Sequence, residues 1–326
     1  MLRQAGFNPK ADLKIALAVL TPKICSRYWL LLLVVMLLAG CALRPVPGTP
    51  PDTPPLVQST PKKPVKIGLV LGGGAARGFA HIGVIQVLEE AGIRPNLVVG
   101  TSAGSVVAAF YASGKNGAQL QQVAESMEEA TFTDWTLPIF SRGMLRGEAL
   151  ARYVSAQVNG RLIESMPLSL GIVATDLNSG QGVLFQRGDT ATAVRASSAV
   201  PALFQPVKIA GREYVDGGLV SPVPVRYARQ MGAELVIAVD ISSAPESNLA
   251  SDTLQILLQT FSIMGKSINT FELRDAEVVV RPSLTGVSSS DFGARRRAIE
   301  AGRVAMLALL PQLRSALSAH ELASKP

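Results

Sequence analysis

From Val65 onward the chain alternates short β-branched apolar runs with longer stretches whose apolar positions recur every three or four residues. Buried parallel strands need continuous apolar runs, and the helices that cross over them need one apolar face, so this alternation predicts an α/β fold with a parallel sheet. Strands are predicted at Ile67–Leu71, Leu97–Val99, Leu168–Ala174, Val183–Gln186, Glu234–Asp240 and Glu277–Arg281. Helices are predicted at Arg77–Ala91, where Ile82, Ile85 and Leu88 fall at helical spacing, and at Ser102–Ala112, Gly117–Glu129, Gly147–Val158, Pro224–Met231, Leu254–Phe271 and Arg295–Ala319. The stretch Leu254–Phe271, with Leu257, Leu258, Phe261 and Met264, reads as a core helix in preference to an apolar lid. No internal repeat is visible, and residues 65–322 are expected to form one domain followed by a short tail at 323–326.

The first 64 residues follow a different pattern. Lys23 and Arg27 precede an apolar run from Tyr28 to Ala39, shorter than the roughly 20 residues a membrane-spanning helix needs but suited to a signal peptide. The run ends at Leu38-Ala39-Gly40-Cys41, which resembles the bacterial lipobox, so residues 1–40 are expected to be a lipoprotein signal and Cys41 the lipidated N-terminus. Eight prolines in the 23 residues Ala42–Pro64 predict an extended tether, with a reach of roughly 70 Å. The expected location is therefore the bacterial envelope, anchored in a membrane. Ala42, rather than Asp, after the cysteine points to the outer membrane facing the periplasm. Cys25 and Cys41 are the only cysteines, so the mature domain has no disulfide of its own to rely on.

Composition narrows the function. With 48% hydrophobic and 17% charged residues in 326, the chain can bury a substantial core, which excludes disorder throughout. The net charge of +7 suggests a nucleic-acid partner only until it is divided: residues 1–64 hold eight cations and two anions, and the remainder holds 23 and 22. The predicted domain is almost neutral and has no basic stripe, which argues against nucleic-acid binding.

Three glycine-bounded segments carry the candidate chemistry. Gly72-Gly73-Gly74 joins the first strand to the first helical pattern, where bare backbone N–H groups can face either a bound phosphate or a transient oxyanion. A phosphate-binding Walker loop would end in Gly-Lys-Ser/Thr, whereas Arg77-Gly78-Phe79 stands here; the dinucleotide fingerprint fails at Ala75. Gly100-Thr101-Ser102-Ala103-Gly104 is a Gly-x-Ser-x-Gly turn between a strand and a helix, a geometry that presents Ser102 as a nucleophile at a helix N-terminus. A serine needs a base. The chain has two histidines: His81, which reads as a hydrogen-bonded structural residue, and His320, close to the C-terminal end of the sequence. Asp216, followed by Gly217 and Gly218, is the better candidate, although Asp-Gly is also a hairpin signal. No His, Cys or carboxylate cluster has metal-ligand spacing, so neither metal nor cofactor is expected.

The ordered set Gly72–Gly78, Gly100–Gly104 and Asp216–Gly218, with Ala174–Phe185 and Arg195–Val207 between, resembles the patatin-like phospholipases, including the neuropathy target esterase relatives. The resemblance implies a three-layer α/β/α fold with a mostly parallel central sheet. It implies a Ser102–Asp216 dyad without histidine, and an oxyanion hole from Gly73, Gly74 and Ala75 with Arg77 nearby. Gly72, Gly78, Gly100, Gly104, Gly217 and Gly218 are then motif glycines. Ala75 departs from the family pattern, which has glycine there. The implied substrate is a phospholipid or lysophospholipid, cleaved without cofactor; a general carboxylesterase or a non-catalytic envelope protein are the competing readings.

Overall fold

The computed structural model describes residues 64–128, 134, 142–242 and 252–323. The expected signal, Cys41 and the tether before Pro64 lie outside the described residues, as does most of the expected tail.

Ten strands are described: β1 (Ile67–Leu71), β2 (Leu97–Thr101), β3 (Gly143–Leu145), β4 (Ser169–Asp176), β5 (Gly182–Phe185), β6 (Ala202–Phe204), β7 (Val207–Ile209), β8 (Arg212–Asp216), β9 (Leu235–Val239) and β10 (Val278–Val280). The main sheet runs β10-β9-β1-β2-β4-β8-β7, with β5 also paired to β4; β3 and β6 pair separately. The five strands from β10 to β4 are mutually parallel, β5 and β8 run antiparallel to β4, and β7, antiparallel to β8, returns to the direction of the parallel set.

The helices are α1 (Ala80–Glu90), α2 (Ala103–Ala112), α3 (Gly117–Glu125), α4 (Glu148–Gln157), α5 (Thr190–Ser197), α6 (Val225–Gln230), α7 (Thr253–Glu272) and α8 (Arg295–Ala323). Side chains of a strand alternate between faces, and both faces here are covered. Leu69, Leu71, Val98, Ile237 and Val239 face a core that includes residues of α1, α2 and α8. Val70, Leu97, Val99, Val236 and Ala238 face the opposite way, against Val225, Tyr227 and Ala228 of α6. The result is the three-layer arrangement, with uninterrupted apolar strands because neither face meets water. α1 and α8 cross at reciprocal glycines: a Cβ on Gly83 would lie 1.9 Å from Ile299 O, and one on Gly302 2.0 Å from Ala80 O.

The structure departs from expectation in four places. Residues 75–79 form a 3-10 turn, so the first α-helix starts at Ala80 rather than Arg77. β2 runs two residues past Val99 to Thr101. The three-residue strands β3, β6 and β7 are too short to leave a period, and α5, polar and only eight residues long, is recognisable mainly by its Asp189 cap, whose side chain accepts from Thr192 N at 2.7 Å. Last, α7 is not a core helix: only Gly265, Asn269 and Glu272 are buried along its 20 residues, while Ile256, Ile263, Met264 and Phe271 are exposed. An apolar count shows that a helix can pack; it does not show which face finds a neighbour.

Candidate active site

The register around β4 brings the two chemistry-bearing segments together. β5 pairs with Ile172 and Val173, which β2 also pairs with, so β5 and β2 occupy opposite edges of β4. β5 and β8 both pair with Ala174 and Thr175, so β8 lies opposite β5, on the edge that β2 has just vacated. β2 ends with Thr101 opposite Val173, and β8 arrives antiparallel with Asp216 opposite Ala174, the next position. The two strands meet end to end along one edge, and Ser102 and Asp216 fall at the junction. Gly217 closes it, since a Cβ there would lie 2.2 Å from Val173 O and 3.1 Å from Thr101 Cγ2.

Ser102 sits between β2 and α2 with φ 53° and ψ −125°. A non-glycine residue in this region costs about 1–3 kcal/mol and persists only where its surroundings over-determine it. They do here. A Cβ on Gly104 would lie 2.0 Å from Leu71 O, and one on Gly100 2.4 Å from Gly104 O, so the turn is pressed against both itself and the end of β1. Ser102 O accepts from Ser105 N at 2.8 Å and Ser105 Oγ at 2.6 Å. Ser102 N donates to Ser197 Oγ at 2.9 Å, and Ser197 Oγ donates in turn to Val173 O at 2.6 Å. The positive end of α2 faces the same spot.

Asp216 is buried, its carboxylate accepts from Gly218 N at 2.7 Å, and the Ser102 side chain lies near enough to pull its pKa down. Its backbone is held by Ala199 O, which accepts from Asp216 N at 2.9 Å, and by Thr175 Oγ1, which donates to Asp216 O at 2.8 Å. Burial pushes its pKa from the ordinary 3.8 to about 6, against the opposing pull of Ser102 and Gly218. A carboxylate with this value is ionised at neutral pH yet basic enough to accept a proton.

The glycine-rich segment lies against this pair. A Cβ on Gly73 would stand 3.2 Å from Ser102 Cβ, and one on Gly72 2.9 Å from Val223 Cγ2. Gly78 touches the residue after Ser102, with 3.0 Å between its added Cβ and Ala103 Cβ. One expected donor is corrected: Gly73 N donates to Pro222 O at 2.9 Å, and an N–H aimed at a carbonyl cannot also serve an oxyanion, so Gly73 contributes closeness rather than charge. Gly74 and Ala75 remain from the expected trio. Ala75 takes φ 49°, so the one residue that breaks the glycine pattern adopts the left-handed backbone that glycine would adopt without strain.

Arg77 is also corrected, from an oxyanion-hole position to a brace. It is buried, its Nε donates to Val287 O at 3.0 Å, and Ala76 N donates to Ser289 O at 2.9 Å, so the turn is tied to the segment before α8. His81 is structural, as read. It is buried, its Nε2 donates to Gly72 O at 2.9 Å, and burial lowers its pKa to about 4, keeping it neutral. His320 lies in the last turn of α8.

Three supporting residues escape the sequence reading. Ser197 anchors the Ser102 backbone; Thr101 Oγ1 donates to Ser221 O at 2.9 Å; and Ser221 Oγ lies 2.6 and 2.7 Å from the two carboxyl oxygens of Glu272 on α7. Burial raises the Glu272 pKa to about 7 despite its Ser221 and Arg226 partners. Serine and threonine in apolar strings carry little signal by themselves. Ser197 sits inside the Arg195–Val207 block, which was the only available pointer.

Residues 69–229 match the family described as patatin-like phospholipase. An uncharacterized NTE family protein of Mycobacterium tuberculosis is 35% identical over 207 residues, 61% of this chain and 57% of that protein. Patatin-like phospholipase domain-containing protein 6 of Mus musculus is 35% identical over 193 residues, 57% of this chain and 14% of that protein. The chain thus spans little more than half, or less, of these relatives' own length. In fold, the chain is similar to the crystal structure of VipD from Legionella pneumophila, with a TM-score of 0.51 at 17% identity over 77% of this chain and 67% of that one.

Proposed function

From the match of residues 69–229 to the patatin-like phospholipase family, we propose that the chain hydrolyses acyl esters of phospholipids or lysophospholipids through a Ser102–Asp216 dyad. The observation that carries the reading is the register that brings Ser102, at the end of β2, and the buried Asp216, at the end of β8, to one junction on the edge of β4.

Ser102 Oγ attacks the ester carbonyl carbon while Asp216 takes its proton. The tetrahedral oxyanion sits at the N-terminus of α2, facing Gly74 and Ala75 backbone N–H groups. Preorganised donors of this kind supply about 3–4 kcal/mol each by mutagenesis. Asp216 returns the proton to the departing alcohol, leaving an acyl-serine. Water then attacks the acyl carbon, again giving its proton to Asp216, and the fatty acid departs as Ser102 recovers its hydrogen. Each step needs one base in one place, which a buried carboxylate provides without a histidine or a cofactor.

Serine-directed fluorophosphonate labelling followed by peptide mapping tests the assignment. Modification at Ser102, abolished in Ser102→Ala together with at least about 10³-fold of the esterase rate, is expected. Modification elsewhere, or unchanged turnover in Ser102→Ala, overturns it. Comparing rates on phospholipid and on short-chain esters separates a lipid hydrolase from a general carboxylesterase. The pattern ending at Cys41 supports lipid anchoring at the bacterial envelope, in the outer membrane facing the periplasm; incorporation of an alkyne-tagged fatty acid into wild type but not Cys41→Ala is the expected result.

A further inference from the structure

At the carboxyl ends of β9 and β10, beside α7, lies a cavity of about 470 Å³ lined by Asp240, Lys266, Asn269, Thr270, Arg274 and Arg281 among others. The size suits a small-molecule site. Among the described residues three cations line it against one carboxylate; Asp240 pairs with Arg281 at 3.5 Å and accepts from Ser242 Oγ at 2.6 Å, which leaves Lys266 and Arg274 in excess. The cavity therefore favours an anion.

Asn269 makes the stronger statement. It is 3% exposed, and neither Nδ2 nor Oδ1 has a hydrogen-bond partner among the described residues. Leaving a buried amide unpaired costs about 1–3 kcal/mol per group, so native structures supply a partner, from protein, water or ligand. Nδ2 offers hydrogens to an anionic oxygen, and Oδ1 accepts from a hydroxyl or ammonium donor. A phosphate that carries such a donor on its alcohol satisfies both ends.

Two placements decide what kind of phosphate. Ile263 precedes the cavity-lining Lys266 and Thr270 by three and seven residues, so all three share one face of α7, and Ile263 is 52% exposed. Apolar surface thus adjoins the cationic cavity. Ile241, between Asp240 and Ser242, packs against the oxyanion segment, where a Cβ on Gly74 would lie 2.8 Å from Ile241 Cδ1. The cavity accordingly opens at the same sheet edge as Ser102.

We propose that this cavity binds the phosphate of a phospholipid headgroup, with the adjoining apolar face of α7 against its acyl portion. The proposal rests on the reading of the site as a lipid hydrolase and names the part of the substrate that the dyad does not touch. Lys266, Arg274 and Arg281 supply charge, and Asn269 fixes orientation.

The test is calorimetric binding to the Ser102→Ala protein, which holds lipid without turning it over. The probes are dihexanoylphosphatidylglycerol and dihexanoylglycerol, both as monomers, and inorganic phosphate. The phosphorylated lipid is expected to bind at least about tenfold tighter than dihexanoylglycerol, the value of one charge-assisted hydrogen bond. Lys266→Gln and Arg281→Gln, both on exposed side chains, are each expected to shrink that ratio by about threefold or more, and Lys266→Gln/Arg274→Gln/Arg281→Gln to abolish it. A ratio that survives the triple substitution overturns the proposal, as does inorganic phosphate binding as tightly as the lipid, which would make the cavity a free-anion site. Ester hydrolysis by the otherwise wild-type protein separates the two readings. If it cleaves no ester while the ratio behaves as expected, the hydrolase reading fails and the cavity stands. If it cleaves phospholipid while the triple variant binds like the parent, the cavity fails and the hydrolase reading stands.

Discussion

The junction of β2 and β8 and the helix α7 use burial in opposite ways. At the junction, apolar strands carry a strained serine and a buried carboxylate, and every backbone group named there is answered by a specific partner. α7 turns Gly265, Asn269 and Glu272 inward and leaves Phe271, Ile256, Ile263 and Met264 largely exposed. One region uses low dielectric to raise a pKa and hold a geometry; the other gives up apolar burial and keeps surface available. The contrast is between a junction held on every side and a helix that ties down one face and leaves the other open.

Removing the junction's charge is the largest test of that contrast. Asp216→Asn is expected to lower kcat/KM by at least about 10³-fold, as removal of a general base does. Its effect on stability should have the opposite sign. Asp216 is held near pKa 6, above the ordinary 3.8. The folded state therefore binds the extra proton between these values, and its stability falls as pH rises through that window, with the full penalty present above pH 6. Asparagine keeps an oxygen for Gly218 N and has no charge to desolvate, so the variant should be more stable than the parent at pH 7–8, by about 1–3 kcal/mol, in urea titrations. Parent stability flat from pH 4 to pH 7, with no gain in the variant, would refute the burial argument. The parent's kcat/KM should correspondingly rise with pH through about 6 and then level, as the base ionises.

Ser197→Ala tests whether the strain at Ser102 is held from outside the turn. It orphans the part-buried Ser102 N–H, so a loss of about 1 kcal/mol in stability is expected. kcat should fall about 10–100-fold with KM little changed, because a misplaced nucleophile binds substrate normally. Cysteine, which retains a weak donor and acceptor, should recover part of kcat; equal loss of activity in Ala and Cys variants would reduce Ser197 to packing.

The smallest effects belong to α7. Met264→Ser/Phe271→Ser should leave unfolding free energy within about 0.5 kcal/mol, as surface substitutions do. Gly265→Leu, by contrast, forces side-chain atoms toward Pro222, whose Cγ already lies 3.3 Å from an added Cβ, and should destabilise by about 1–3 kcal/mol. A large loss in the double serine variant would mean that the outer face is covered after all.

Legibility differed between the same two regions. Ser102, Asp216 and the motif glycines could be named from the chain because each sits in a local pattern, strand then tight turn then helix, whose backbone demands are met only by small residues. Gly73 was assigned the wrong task because the N–H partner it uses, Pro222 O, is about 150 residues away. α7 was misplaced because its composition describes the helix and not its neighbours.

By itself, then, the sequence determined the alternation of strands and helices, the parallel centre of the sheet and the tight turns at Gly100–Gly104 and Asp216–Gly218, all properties in which residues a few positions apart constrain one another. Tertiary structure alone decided that β8 takes over the edge of β4 where β2 stops, that Ser197 holds the Ser102 backbone and that Asn269 lines a cationic cavity. Those depend on register between segments separated by dozens to hundreds of residues. Register is set by which side chains can be buried together, and no spacing along the chain records it.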